Sequence, residues 1–137
     1  MSFVLDSSIT LSWYFQDQST PVTLGLLNEV AARGAVAPAL WRLEVANGFQ
    51  SALRRGKVDE AYRNVSLKDL SRLPVAIDQE TDLHLWTRTV VLSDRFRLTI
   101  YDAVFLELAQ RRKLPLASLD QALRSAGHSL GILLLGK

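Results

Sequence analysis

"TIYDAVFLELAQRRKLPLASLD", residues 99–120, sets the architecture of this chain. Thr99 and Asp102 have the hydroxyl-to-acid spacing of a helix start. An apolar-rich run follows, closed by the basic Arg111, Arg112 and Lys113 and by Pro115. "LPLASL" then reads as a short strand, too apolar to carry a wet face, and Asp120 comes directly after it. A helix that returns the chain to a buried strand is the repeating unit of a parallel sheet.

The same unit recurs along the sequence. "SFVLD" predicts a first buried strand, ending in Asp6. "TPVTLGLLNEVAARG" predicts a helix with Thr20 at the N-cap, Pro21 at the first helical position and Gly34 just past the end. "AVAP" and "VAI" are brief strands. Between them lie "LWRLEVANGFQSALRRG", with helical spacing at Leu40, Leu43, Ala46, Phe49 and Leu53, and "KVDEAYRNVSLKDLSRLP", stopped at Pro74. "DQETDLHLWTRTVVLSDRFR" predicts a helix loosened at its C-terminal end, "DQALRSAG" a short helix, and "LGILLL" a last strand that needs a neighbour or a cover. The expectation is one α/β domain over residues 1–137, with a short, mostly parallel central sheet flanked by helices.

Composition narrows the chemistry. With 48% hydrophobic and 22% charged residues in 137, the chain has enough apolar surface for one core. The absence of cysteine excludes disulfides, thiolate metal sites and cysteine nucleophiles. A net charge of +2 is too mild to indicate nucleic acid. The basic residues are 12 Arg against 4 Lys, which suits phosphate binding and equally suits a GC-rich genome. No stretch approaches the ~20 apolar residues of a membrane span, and the N-terminus lacks the pattern of a signal peptide. A soluble, cytoplasmic protein is expected.

Four acids stand out by position. Asp6 and Asp120 end strands, and Glu44 and Asp102 open helices that follow connections. In a parallel sheet all four places point to the carboxyl edge, where such folds bind ligands. Singly, each acid has a plainer explanation. Asp6 and Asp120 suit N-caps, Thr99 and Asp102 a capping box, and Glu44 a solvated acid at a positive helix start. Jointly they are harder to dismiss, because carboxylates crowded on one rim repel. A hard divalent cation resolves that conflict, favours oxygen ligands, and activates water against a phosphodiester. Ser8, Asn47 and Ser118 stand near these acids and suit a supporting role around a metal; Ser7 is better explained by local capping. Glu107, five positions past Asp102, falls on another helix face.

"FVLDSS", "LEVANGF", "LTIYDAVFLELAQRRKLPLASLDQALRSAG" and "LGILLL" resemble the PIN-domain family, and within it the VapC-type toxins of bacterial toxin–antitoxin pairs. The resemblance covers nearly the whole chain. It maps the family's acidic positions onto Asp6, Glu44, Asp102 and Asp120, as catalytic and metal-holding residues, and its hydroxyl position, commonly Thr, onto Ser118. It implies a Mg²⁺- or Mn²⁺-dependent endoribonuclease acting through a metal-activated water. It also implies a homodimer and inhibition by a cognate antitoxin whose C-terminal segment occupies the active-site groove. Arg54, Arg55, Arg111 and Arg112 are candidates for the RNA backbone, although helix C-termini attract arginine without any ligand. Trp86 sits among apolar helical neighbours and reads as core; Trp13 and Trp41 read as partner contacts.

The alternative is a non-catalytic module of the same fold that binds RNA or protein and uses its acids only as helix caps. A phospho-accepting receiver wants a second acid after the first strand and a strand-end lysine, and neither is found. An aspartyl phosphatase wants an acid where Ser8 stands. A histidine-pair ribonuclease would need His84 and His128 to meet, and nothing in their spacing brings them together.

Overall fold

The computed structural model describes residues 3–137. Ser2, expected at the head of the first strand, lies outside the described residues. Five short strands, β1 (Val4–Leu5), β2 (Ala35–Ala37), β3 (Val75–Ile77), β4 (Leu116–Ala117) and β5 (Leu134–Leu135), form one sheet in the order β3-β2-β1-β4-β5. Every pairing is parallel. The chain winds outward from β1 through β2 to β3, crosses to the other side of β1, and winds outward again through β4 to β5. The reversal lies between β1 and β4, and a crevice opens at the carboxyl ends of the strands at such a point.

The helices carry the chain between strands. α1 (Ser7–Ser12) and α2 (Pro21–Arg33) join β1 to β2; α3 (Leu40–Arg54) and α4 (Glu60–Ser71) join β2 to β3. α2 starts and stops as the sequence predicts, with Thr20 accepting the Thr23 N–H and Gly34 taking φ +78° beyond the last turn. Between β3 and β4 run α5 (Thr81–His84), a π-helical segment (Leu85–Thr89), α6 (Val90–Phe96) and α7 (Ile100–Arg112). α8 (Gln121–Ser129) joins β4 to β5. The final apolar run finds its neighbour in β4.

The core surrounds the sheet. Phe3, Val4, Leu5, Ala35, Val36, Ala37, Leu116 and Ala117 are buried, so these strands have no wet face. α7 lies at the centre: Ala103 to Ala109 are buried without interruption, and an acid, Glu107, is fully enclosed with them.

Three expectations change. The buried stripe of α3 is Trp41, Val45, Phe49 and Ala52, whereas Leu43 is 70% exposed, so the true face is turned from the one expected. The irregularity after β3 is a π segment in the middle of the predicted helix, not a loosened end. The tryptophans exchange roles. Trp41 is buried and donates to Thr10 Oγ1 at 2.9 Å, and Trp13 is half-buried and donates to the Thr23 carbonyl at 2.7 Å. Trp86 is 88% exposed. Apolar neighbours in sequence do not fix which side of a helix meets the core.

Candidate metal-dependent active site

Asp6 follows β1 directly at the crevice. Its N–H donates to the Ala117 carbonyl at 3.0 Å, which extends the β1–β4 ladder to the carboxyl edge. Although Asp6 precedes α1, its side chain makes no capping bond to that helix. The carboxylate instead accepts the Ser8 hydroxyl at 2.6 Å and the Ser118 hydroxyl at 2.8 Å, both on Oδ2. Each hydroxyl accepts a backbone N–H in turn: Leu119 to Ser8 at 2.9 Å, and Asp120 to Ser118 at 3.1 Å. With its oxygen engaged by an amide, each hydroxyl proton is directed at Asp6.

The other acids arrive from separate elements. Glu44 stands in the second turn of α3 and accepts the Ser7 hydroxyl at 3.0 Å. Gly48 lies one turn further along α3, and a Cβ there would stand 2.5 Å from Leu11 Cδ1. Mid-helix glycine costs about 1 kcal/mol in propensity, and here it permits the close packing of α3 on α1 that brings Glu44 to Ser7. Asp102 stands in the first turn of α7, whose N-cap Thr99 accepts the Asp102 N–H at 3.1 Å. Asp120 caps α8, accepting the Leu123 N–H at 2.9 Å on Oδ2.

Electrostatics tie the four together. Burial raises the Asp6 carboxyl above its usual range, and Asp120 raises it further, against the lowering by the Ser8 and Ser118 hydroxyls and the Ser7 N–H. Burial also raises Glu44, to about 7; the Ser7 hydroxyl lowers it, and Asp6 and Asp102 add to the rise. Asp102 is raised by burial first, then by Asp120 and Asp6. Thus Asp6, Glu44 and Asp102 each feel at least one other acid of the set, and among the described residues no ion pair with Lys or Arg offsets the cluster.

Such a set suits a hard divalent cation: all-oxygen donors, mutual repulsion and, among the described residues, no Lys or Arg ion-paired to them. As the side chains stand, no three His, Asp or Glu among the described residues are close enough together to hold a metal ion. Two of the acids are turned toward local partners, Glu44 to Ser7 and Asp120 to the Leu123 N–H.

A model of the PIN domain matches residues 3–128. The chain belongs to the PIN-domain family. PIN domains are generally nucleases that use divalent metal ions. Among solved structures, the chain is similar to PAE2754 from Pyrobaculum aerophilum at 21% identity and TM-score 0.69, over 92% of this chain and 84% of that one. It is also similar to FitAcB from Neisseria gonorrhoeae at 13% identity and TM-score 0.65, over 97% and 96%. At these identities the likeness concerns the fold. No curated protein sequence matches the chain.

Within this PIN domain the expected supporting residues divide. Ser8 and Ser118 bond Asp6 directly, whereas Asn47 is exposed on α3. Ser7, set aside in the sequence as a local cap, is the hydroxyl that holds Glu44. Only the tertiary approach of α1 and α3 reveals that role. Arg54 and Arg55 are exposed at the far end of α3, ten residues and about 15 Å from Glu44. Arg111 is committed elsewhere: it donates to Asp78 Oδ2 at 2.6 Å and to Glu107 Oε2 at 2.9 Å. Arg112 lies 3.7 Å from Asp78 Oδ1.

Proposed function

We propose that this PIN domain is a Mg²⁺- or Mn²⁺-dependent endoribonuclease of the VapC type, the toxin of a toxin–antitoxin pair. The observation that carries the reading is four electrostatically coupled carboxylates, with no Lys or Arg paired to them, at the carboxyl-edge crevice. A bound divalent cation supplies Lewis acidity there, lowering the pKa of water and neutralising charge on a phosphodiester. Asp6, Glu44 and Asp102 are the residues that would hold it, and Asp120 completes the acidic pocket. Ser8 and Ser118 bond Asp6 Oδ2 through their hydroxyls, which holds the carboxylate at the crevice. Ser7 steers Glu44 in the same way. The exposed Arg54 and Arg55 are available to a long RNA backbone, whereas Arg111 and Arg112 both serve Asp78.

The simple capping explanation has Asp120 in its favour, since that side chain does cap α8. Asp6, which makes no capping bond and is bonded by two hydroxyls, counts against it. The substrate is RNA in the cytoplasm, and no helix among the described residues is long and apolar enough to cross a membrane. The cognate antitoxin is the protein partner, and a groove of about 360 Å³ between α3 and α4, walled by Trp41, Val45, Leu67, Leu70 and Leu73, supports docking of an apolar segment. The homodimer is supported by the stripe of Leu83, Trp86 and Val91 left exposed along α5, the π segment and α6.

The purified protein, stripped by chelator, is expected to regain RNA cleavage on addition of Mn²⁺ or Mg²⁺. Asp6→Asn and Asp102→Asn are each expected to lower that rate about 10³-fold, on the order of 4 kcal/mol of transition-state stabilisation. Metal-independent cleavage, or full activity in either folded variant, ends the metal-dependent reading of this site. For the dimer, Trp86→Ser is expected to shift the sedimenting species to monomer; a monomeric wild type ends that part.

A further inference from the structure

Arg124 is an arginine at the acidic crevice that pairs with none of its acids. It stands in α8, one turn past Asp120, and its side chain reaches back over the carboxyl ends of β4 and β5. There Nη1 donates to the Ser118 carbonyl at 2.8 Å and to the Leu135 carbonyl at 2.9 Å. Both acceptors lie at the end of the β4–β5 ladder. The Leu135 carbonyl also accepts the Ser118 N–H at 3.1 Å. One guanidinium nitrogen therefore ties together both carbonyls around the last rung.

Ser118 is not an ordinary strand-end residue. It is fully buried, its hydroxyl donates to Asp6 Oδ2, and the same hydroxyl accepts the N–H of Asp120. Two acids of the cluster thus depend on where the Ser118 backbone sits. β5 is only two residues long and is the edge of the sheet, so its ladder alone holds that backbone weakly. Arg124 adds a charge-assisted bond on each side of the rung, and such bonds are about twice as strong as neutral ones.

We propose that Arg124 is a positioning residue of the acidic site: by holding the Ser118 backbone it aims the hydroxyl that Asp6 accepts, and so sets how tightly the site takes a divalent cation. The inference rests on the nuclease reading above. It assigns Arg124 no contact with the metal or the RNA. It also differs from a purely structural brace, which would add stability without changing metal affinity.

Calorimetric titration of the full chain with Mn²⁺ tests it, for wild type, Arg124→Met, Arg124→Lys, Ser118→Ala and the double variant Arg124→Met/Ser118→Ala. Arg124→Met is expected to weaken Mn²⁺ binding about tenfold, the usual cost of removing a group that supports a metal ligand. Arg124→Lys, which keeps the charge and N–H donors on a non-planar head, is expected to recover part of the loss. The double variant is expected to bind no more weakly than Ser118→Ala alone, because both substitutions act through one hydroxyl. Cleavage measured against Mn²⁺ concentration is expected to show the same shift in midpoint, larger than any loss of rate at saturation. Unchanged Mn²⁺ affinity in folded Arg124→Met, or additive losses in the double variant, overturns the inference while leaving the nuclease reading intact. If Arg124→Met does not fold, Ser118→Ala decides: wild-type Mn²⁺ affinity in that folded variant overturns the inference, because Arg124 acts only through this hydroxyl. A wild type that neither binds Mn²⁺ nor cleaves RNA overturns the nuclease reading and this inference together.

Discussion

The fold holds two groups of enclosed acids, and they are solved in opposite ways. At the crevice, Asp6, Glu44, Asp102 and Asp120 meet hydroxyls, backbone N–H groups and one another. Beside α7, Asp78 and Glu107 meet arginine. Arg111 donates to both, Arg112 adds a second charge to Asp78, and Thr81 donates to Asp78 Oδ2 at 2.6 Å. Burial would raise Asp78, but the bonds from Arg111 and Thr81 and the two positive charges hold it below the usual carboxylate range. Burial would likewise lower Arg111, and Asp78 and Glu107 instead raise it. Asp6 and Asp78 each follow a parallel strand directly, so their origins in the fold are alike. What separates them is whether the chain supplies the counter-charge. Where it does, the acids join elements together; where it does not, the site is left with an appetite for a cation.

Removing the chain's own cation tests this contrast most severely. Arg111→Met leaves Glu107 fully enclosed and Asp78 nearly so, and is expected to destabilise the domain by about 3–5 kcal/mol in urea denaturation. A loss below about 1 kcal/mol means the pair is no more than a surface contact, and the comparison fails. Arg111 is thereby assigned to the fold rather than to RNA.

The crevice predicts the opposite sign. Glu44 has its folded pKa raised to about 7 from 4.5, so the folded state binds more protons than the unfolded chain between those values. Its contribution is therefore present at low pH and is lost as pH rises from 4.5 through about 7. Asp6 and Asp102 are shifted the same way. Asp78 is shifted the other way, so its contribution is present above its unfolded pKa and is lost as pH falls through the folded one. With metal chelated, Glu44→Gln is expected to be more stable than wild type at pH 8 by on the order of 1 kcal/mol, after allowance for solvent screening, and to show a flatter pH dependence. A destabilised Glu44→Gln at that pH means the repulsion is not there.

The smallest expected effect concerns the histidines. His84 is half-buried in the arm after β3 and His128 is exposed late in α8. Replacing both with alanine is expected to leave RNA cleavage within about twofold of wild type. Loss of activity in the folded double variant moves the chemistry away from the carboxylates altogether.

Much of this was legible before any coordinates. Thr20, Pro21 and Gly34 bound α2 as written, because capping and proline act within one turn. Asp6, Glu44, Asp102 and Asp120 are expected on one rim from the rule that parallel strands end on one edge, and in the structure Asp6, Glu44 and Asp102 are each raised by burial and by another acid of the set. By the same rule Asp78 was equally eligible, and nothing local marks it as Arg111's partner, 33 residues away. Ser7 was legible only as a cap, since Glu44 lies 37 residues on and meets it through the closeness that Gly48 allows. The buried face of α3 and the fate of the tryptophans were missed for a related reason. Helical spacing limits which residues share a face, but the surrounding elements choose which face is turned inward.

The amino-acid sequence by itself determined the alternation of strands and helices, the caps that bound them, and the acids carried to strand ends and helix starts. These depend on contacts within a few residues, where chain geometry leaves little choice. Only the tertiary structure decided which of those acids receive an arginine and which are left to hydroxyls and to each other. That depends on groups brought together across the whole chain, and the energy of a buried charge is set by what stands beside it in space.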